Sequence, residues 1–204
     1  MSFYRINFNN NLRQVVSILA IITFFVCSYL LGSLMAGFVV VKLLGKKDIR
    51  TEGSRNVGAR NAGRVNGKLS FILTFIGDAL KGALVIIAGH YFGFSSDLVL
   101  GGLGFAILGH VKPITLKFKG GMGISTFIGG MIAFEPFTAL VIIGGFLLLY
   151  PFLKSFTFAG LGSFLLIPIS FYFLGTDTAV IMISGFLVMA IIYIHREDIL
   201  ERLR

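Results

Sequence analysis

Two glycine-rich stretches carry basic residues at the edges of long apolar runs. The first reads Gly53-Ser54-Arg55-Asn56-Val57-Gly58-Ala59-Arg60-Asn61-Ala62-Gly63-Arg64, and the second reads Lys117-Phe118-Lys119-Gly120-Gly121-Met122-Gly123-Ile124-Ser125-Thr126. Glycines let a backbone curl so that successive N–H groups point inward, and arginine or lysine adds charge and forked donors. Those are the elements of a phosphate site. Either stretch alone would read as a solvated turn with cytoplasmic charge. Two of them in one short chain, both beside apolar segments, point to a phosphorylated substrate handled at a membrane surface.

The elements that must position these loops are membrane-grade. Of the 204 residues 56% are hydrophobic and 13% charged, and the mean hydropathy is +0.91. A soluble domain of this size cannot hide so much apolar surface, so the composition predicts an all-α polytopic membrane protein. The 26 glycines and 22 phenylalanines suit helices that approach closely in lipid. A net charge of +9 in a soluble protein would suggest nucleic acid; here loop charge accounts for it and no nucleic-acid partner is expected. Cys27 is the single cysteine, which excludes an internal disulfide or cysteine metal cluster. The first apolar run is too long, and lacks the cleavage site, for a signal peptide.

Seven apolar segments follow a polar tail at residues 1–14: Val15–Leu44, Leu69–Phe92, Leu98–His110, Ile124–Phe134, Phe137–Leu153, Gly160–Leu174 and Thr178–Ile194. A charged tail, His195–Arg204, ends what reads as a single transmembrane domain. Leu98–His110 and Ile124–Phe134 are short against about 30 Å of hydrocarbon. With seven crossings, Gly45–Lys68, Val111–Gly123, the Lys154 loop and the C-terminal tail fall on one side and hold most of the Lys and Arg. The opposite loops hold Asp97, Glu135 and Asp177. The positive-inside rule then puts the basic loops and the C-terminus in the cytoplasm and the N-terminus outside, with Arg5 and Arg13 as the departure. Tyr91 and Tyr172 near outer ends, and Tyr150 and Tyr193 near inner ends, agree with this placement.

Further candidates follow from residue type. Asp78 and Lys81 lie three apart inside an apolar run, on one helix face, either as a structural ion pair beside the basic loop or as a functional pair. Arg64 is a permanently charged planar fork suited to phosphate, whereas Arg55 and Arg60 are either further ligands or, as favoured here, topology charges. Ser54, Asn56 and Asn61 offer neutral hydrogen-bonding groups. His90 is interfacial. His110 and His195 end apolar runs at the same face as the glycine loops; each could cap a helix C-terminus, and His195 could equally bind phosphate or move a proton. A Walker loop, a dinucleotide fingerprint, a G-x-S-x-G elbow and an H-E-x-x-H zinc motif are all missing.

In this order and spacing the motifs resemble the bacterial integral-membrane glycerol-3-phosphate acyltransferases that take acyl phosphate as donor. The resemblance rests on Gly32-Ser33, Lys47-Asp48-Ile49-Arg50, Gly53-Ser54 with Asn56, Gly58-Ala59 and Asn61, Arg64 with Gly67-Lys68, Asp78 with Leu80-Lys81-Gly82, Gly109-His110 with Pro113, Lys119-Gly120-Gly121 with Gly123, and His195-Arg196-Glu197. It implies seven helices, a cytoplasmic active site in a bacterial plasma membrane, and no cofactor or metal. It also implies acyl transfer to the first hydroxyl of glycerol 3-phosphate, giving lysophosphatidic acid without a side-chain nucleophile. By position, Ser54, Arg64 and His195 are the expected catalytic phosphate-binding residues. Asn56, Asn61, Lys119, Gly120, Gly121, Gly123, His110 and Asp198 are the expected substrate contacts.

This chain departs from the family pattern at several points. Met122 stands where the family's second loop has lysine, Gly160 where a serine precedes the sixth helix, with Thr157 the nearest hydroxyl, and Asp198 where the tail has asparagine. Arg55 and Arg60 replace a small residue and a threonine. The reading is therefore a divergent acyltransferase of phospholipid synthesis acting among membrane lipids. Two rivals are a non-catalytic or altered-acceptor paralogue, favoured by Met122 and Asp198, and a small transporter, disfavoured because polar residues gather at one face. Acyl-chain preference and oligomeric state are not written in these motifs. The topology is checked by single cysteines read with an impermeant thiol reagent on intact cells: those at Thr51 and Ser155 are expected to be shielded and one at Thr176 labelled. Labelling at Thr51 from outside would overturn the assignment of the active face.

Overall fold

The computed structural model describes residues 2–203, with side chains for residues 14–201, so the side chains of Arg5, Arg13 and Arg202, and Arg204 altogether, lie outside the described residues. No strand occurs among them. Helix α1 (Ser2–Gly32) breaks at Ser33–Met35 and α2 (Ala36–Gly45) follows. Then come α3 (Ala59–Tyr91), α4 (Ser96–Val111), a 3-10 turn (Ile114–Leu116) and α5 (Ile124–Phe134). The chain closes with α6 (Phe137–Leu153), α7 (Phe156–Phe164), α8 (Leu166–Phe173), α9 (Thr178–Ile194) and α10 (Arg196–Leu203).

Several expected boundaries move. The run Val15–Leu44 is two helices, because the chain leaves helical geometry at Ser33–Met35. Residues 2–14 of the expected polar tail are backbone of α1 rather than a separate tail. The segment Leu98–His110 is longer than its apolar letters: with the 3-10 turn it forms the 21-residue stretch Ser96–Leu116. Gly160–Leu174 begins earlier, at Phe156, and is jointed at Leu165 between α7 and α8.

Gln14–Gly45, Ala59–Tyr91, Ser96–Leu116 and Phe156–Phe173 are long and apolar enough to cross a membrane, and Ile124–Phe134, Phe137–Leu153 and Thr178–Ile194 are shorter apolar helices. Leu19, Leu140, Leu147, Phe152, Phe173, Phe186 and Met189 are all more than half exposed. In water that surface would aggregate; in lipid it is the solvent-facing surface. The core is assembled from Leu100, Leu103, Phe127, Phe164, Ile167, Phe171, Val188 and Ile191, contributed by α4, α5, α7, α8 and α9. α5 has 11 residues, a rise of about 16 Å. It lies against α3 so closely that a Cβ at Gly82 would strike the Thr126 carbonyl and one at Gly129 the Ala79 carbonyl. Without a hydrophobic drive between helices in lipid, such small-residue contact is what holds them together.

One polar interaction runs through this apolar frame. Lys81 Nζ lies 3.0 Å from Asp78 Oδ1, one helical turn back on α3, and both side chains are buried. The same ammonium donates to the carbonyls of Gly32 and Leu34, each at 2.8 Å. Those carbonyls belong to the break between α1 and α2, where helical partners are lost, so Lys81 satisfies groups that lipid cannot. The pair therefore supports the α1–α2 break rather than the basic loop itself. Removing one member leaves an uncompensated buried charge, a cost of about 3–5 kcal/mol. Lys81→Met is expected to lower thermal stability in detergent more than Asp78→Asn, because it also strips two carbonyls of their donor. The double variant should lose less than the sum of the two. Strict additivity would show that the two side chains act independently.

Candidate functional site

The first glycine stretch divides in two. Residues 46–58 form the loop, and α3 starts at Ala59, so Arg60, Asn61 and Arg64 stand on a helix rather than in a loop. The cause is local: Gly58 is extended at the helix entrance, and the first segment of α3 runs only to Asn66 and Gly67, where φ values of −139° and +83° kink it. Glycine accepts that positive φ without a Cβ penalty.

Asn61 organises the loop. It is buried; its Oδ1 accepts from the Ser54 N–H at 2.9 Å, and its Nδ2 donates to the carbonyls of Glu52 and Asn56, each at 3.0 Å. An amide used in this way has little left for a substrate, so Asn61, expected as a substrate contact, instead holds the loop's shape. Asn56 does similar local work, accepting from the Gly58 N–H at 3.2 Å. At the loop's start, Arg50 grips Asp48 with two nitrogens, the shortest distance being 2.7 Å, and lies 5.1 Å from the Phe38 ring centre. That guanidinium holds the Asp48 carboxyl down at about 2.

The second loop is laid against the first. The Val57 N–H donates to the Gly120 carbonyl at 3.5 Å, and the Gly121 N–H donates to the His110 carbonyl at 3.0 Å. His110 is buried, with Nδ1 3.2 Å from the Thr126 hydroxyl and 3.7 Å from Asp78 Oδ1. Its Nε2 fills the place where a side chain on residue 121 would begin, which is why only glycine fits there. His110, expected as a substrate contact and able by residue type to cap α4, stands as a wedge between the buried ion pair and the glycine loop. Gly123 is buried at φ +83° and turns the chain into α5. The free N–H groups of the first turn of α5 therefore lie beside Gly121 and Met122, an end that favours anions.

Together the loops wall a cleft of about 330 Å³ lined by Ser54, Arg55, Asn56, Val111, Lys112, Phe118, Lys119, Gly120, Gly121, Met122 and Ile194. A neighbouring cleft of about 360 Å³ is lined by Arg50, Thr51, Arg55 and Lys119. Both clefts are cationic, and Ile194 brings the end of α9 to the first. Of the expected residues, Ser54, Asn56, Lys119, Gly120 and Gly121 meet here. Gly123 sits behind them. Arg64 and Asp198 are exposed and line neither cleft, so the expectation of a buried Arg64 fork is not met. The sequence pattern did not single out Lys112 or Thr126, and it gave no sign of the bond from Arg60 to the Thr157 hydroxyl at 2.9 Å. That bond ties α3 to the entrance of α7, and no local pattern foretells a contact between residues so far apart.

These loops match known proteins along nearly the whole chain. A family model described as glycerol-3-phosphate acyltransferase matches residues 22–204. The chain belongs to the glycerol-3-phosphate acyltransferase family. Glycerol-3-phosphate acyltransferase 1 of Bacillus cereus is 43% identical over 174 residues, covering 85% of this chain and 96% of that protein. The enzyme of Ruthia magnifica is 35% identical, covering 89% and 92%. A crystal structure of PlsY, an integral membrane glycerol 3-phosphate acyltransferase, in its glycerol 3-phosphate form superposes with a TM-score of 0.81 at 32% identity. It covers 90% of this chain and 92% of that one. A lysophosphatidic acid form of PlsY superposes at 0.80. The chain is thus a multi-pass membrane acyltransferase.

His195 closes α9. It is buried, and its Nδ1 lies 2.8 Å from the Ile191 carbonyl, which fixes the proton on Nδ1 and leaves Nε2 as an acceptor. Burial pushes the imidazole below its ordinary value, while the Ile191 carbonyl and Asp198 pull back weakly. Because protonation is harder in the folded chain, the stability linked to His195 is present above roughly pH 6.5 and is lost as pH falls through the depressed value. Unfolding of the unliganded protein between pH 7 and 5 should therefore show a drop in Tm that is reduced in His195→Gln. An identical drop in both would show that His195 does not carry it.

Proposed function

We propose that this chain transfers an acyl group from acyl phosphate to the first hydroxyl of glycerol 3-phosphate, releasing inorganic phosphate and lysophosphatidic acid. The observation that carries the reading is the convergence of Ser54, Lys119, Gly120 and Gly121 on one cationic cleft. The acceptor oxygen bonds to the acyl carbon, the bond from that carbon to the phosphate oxygen breaks, and the proton leaves with the released phosphate. An acyl phosphate is already activated, so holding the two substrates together and neutralising their phosphates can supply most of the catalysis. Ser54 and the Gly120 N–H cradle a phosphate, with Gly121 held to the His110 carbonyl behind them. Lys119 neutralises that phosphate, Arg64 approaches from the exposed face of α3, and His195 takes the acceptor's hydroxyl proton at Nε2 and passes it to the released phosphate.

We also infer seven crossings, with the N-terminus outside and the C-terminus cytoplasmic. Support comes from the meeting of four basic segments at one end of the bundle: the first loop against the second through Val57 and Gly120, α7 through Arg60 and Thr157, and the end of α9 through Ile194. The rival reading of a binding paralogue rests on Met122, whose thioether lines the cleft and offers neither charge nor a donor.

The deciding experiment follows phosphate release and lipid product from purified protein given acyl phosphate and glycerol 3-phosphate. Turnover by the natural chain is expected. Met122→Lys should raise kcat/KM, since a charge-assisted hydrogen bond is worth about 1.5–3 kcal/mol, or roughly one to two decades. Arg64→Lys should lose nearly as much as Arg64→Ala, because a point charge cannot replace two parallel bonds. A lysine variant that keeps the acceptor KM would leave Arg64 as a loop charge. A folded Met122→Lys protein without turnover would favour the paralogue.

A further inference from the structure

The second glycine loop of this chain contains no cation between Gly120 and Gly123, yet the cleft it walls is suited to a phosphomonoester. Lys112 and Lys119 bring point charges to that cleft, and a forked cation has to come from elsewhere. The arginines nearby are mostly engaged: Arg50 is locked to Asp48, and Arg60 is bonded to Thr157. Arg55 differs from both. It lines each of the two clefts, sharing that position with Lys119. Among the described residues its guanidinium has no hydrogen bond or ion pair. Its backbone is left-handed at φ +60°, a conformation that disfavours a Cβ-bearing residue and that glycine takes freely.

The opposite wall shows the same feature. Phe118, which also lines the cleft with the glycine loop, has φ +61°. Strained backbone on both walls of one cleft is retained where the surrounding structure over-determines it, and such residues gather at ligand sites. At position 55 the strain places a forked, permanently charged donor between the clefts. We propose that Arg55 is a phosphate ligand of this enzyme, supplying at the rim of the first loop the positive charge that Met122 does not supply in the second. This deepens the acyltransferase reading and rests on it only for the identity of the phosphate ester. Because Arg55 borders both clefts, it can touch the phosphates of donor and acceptor together. Its fork gives parallel hydrogen bonds that a lysine would not.

The test separates ligand from backbone. Arg55→Gly removes the guanidinium and relieves the left-handed strain, so the Tm of the unliganded protein should hold or rise. Its Kd for glycerol 3-phosphate and for inorganic phosphate, titrated calorimetrically on the full chain, should weaken about ten- to hundredfold. Arg55→Lys should fall between, keeping charge without the fork. Met122→Lys combined with Arg55→Gly should recover much of the lost affinity by placing the charge on the facing loop. A Kd unchanged in Arg55→Gly overturns the proposal and leaves Arg55 as a topology charge. A loss of affinity accompanied by an equal fall in Tm also overturns it, since that is the signature of a structural role. Turnover is measured on the same preparations. A chain that binds both phosphates through Arg55 but forms no lipid product upholds the ligand and refutes the acyltransferase reading alone.

Discussion

The ammonium of Lys81 joins three parts of the molecule that would otherwise have no reason to stay together. It lies 3.0 Å from Asp78 and holds the carbonyls of Gly32 and Leu34 where α1 breaks into α2. Asp78 in turn stands 3.7 Å from His110, whose carbonyl and ring receive Gly121. A buried charge in lipid is costly unless fully partnered, so these contacts come as a set. The consequence is functional. A helix break deep in the bundle and a glycine loop at its face are fixed relative to each other through a few polar atoms.

The site built on this frame is made mainly of backbone. The Gly120 carbonyl receives the Val57 N–H, the Gly121 N–H is turned on to His110, and Asn61 stitches the first loop through its amide. Backbone donors cannot be lost by rotamer change and arrive pre-aimed, which suits a reaction whose donor is already activated. Side chains then tune the charge. In this chain Met122 lines the cleft, and arginines stand at positions 55 and 60. Arg60 is a tether to Thr157 while Arg55 lines both clefts, so two arginines that look alike as letters do different physical work.

The legible part of the fold was its apolar periodicity and punctuation. Because lipid forces a chain to satisfy its backbone within helices, hydrophobic runs bounded by Gly, Pro and charge marked where the apolar helices lie. Their number was not marked, since α2 and α8 are continuations of longer runs. The breaks inside runs were not legible. Ser33–Met35 lies in an unbroken apolar stretch, and it departs from the helix because Lys81 on another element offers donors to its carbonyls. Leu98–His110 looked too short because, after Lys112 and Pro113 leave the helix, Thr115 falls in a 3-10 turn that continues the stretch. Tyr29 and Ser33 provide the partners for that extension.

For the site, the sequence alone determined the chemistry: glycines for a nest, cations for a phosphate, and no nucleophile or metal motif. Those follow from residue type and spacing, which are local properties. Only the tertiary structure decided which of the polar residues face the cleft. Asn61 and His110 are turned inward to hold loops, Arg64 and Asp198 stand exposed, and Arg55 lies between two clefts. Whether a polar group meets a ligand or a neighbour depends on contacts between residues 47 to 97 positions apart, such as Lys81 with Leu34 and Arg60 with Thr157. Spacing along a chain carries no information about such contacts until helices have packed.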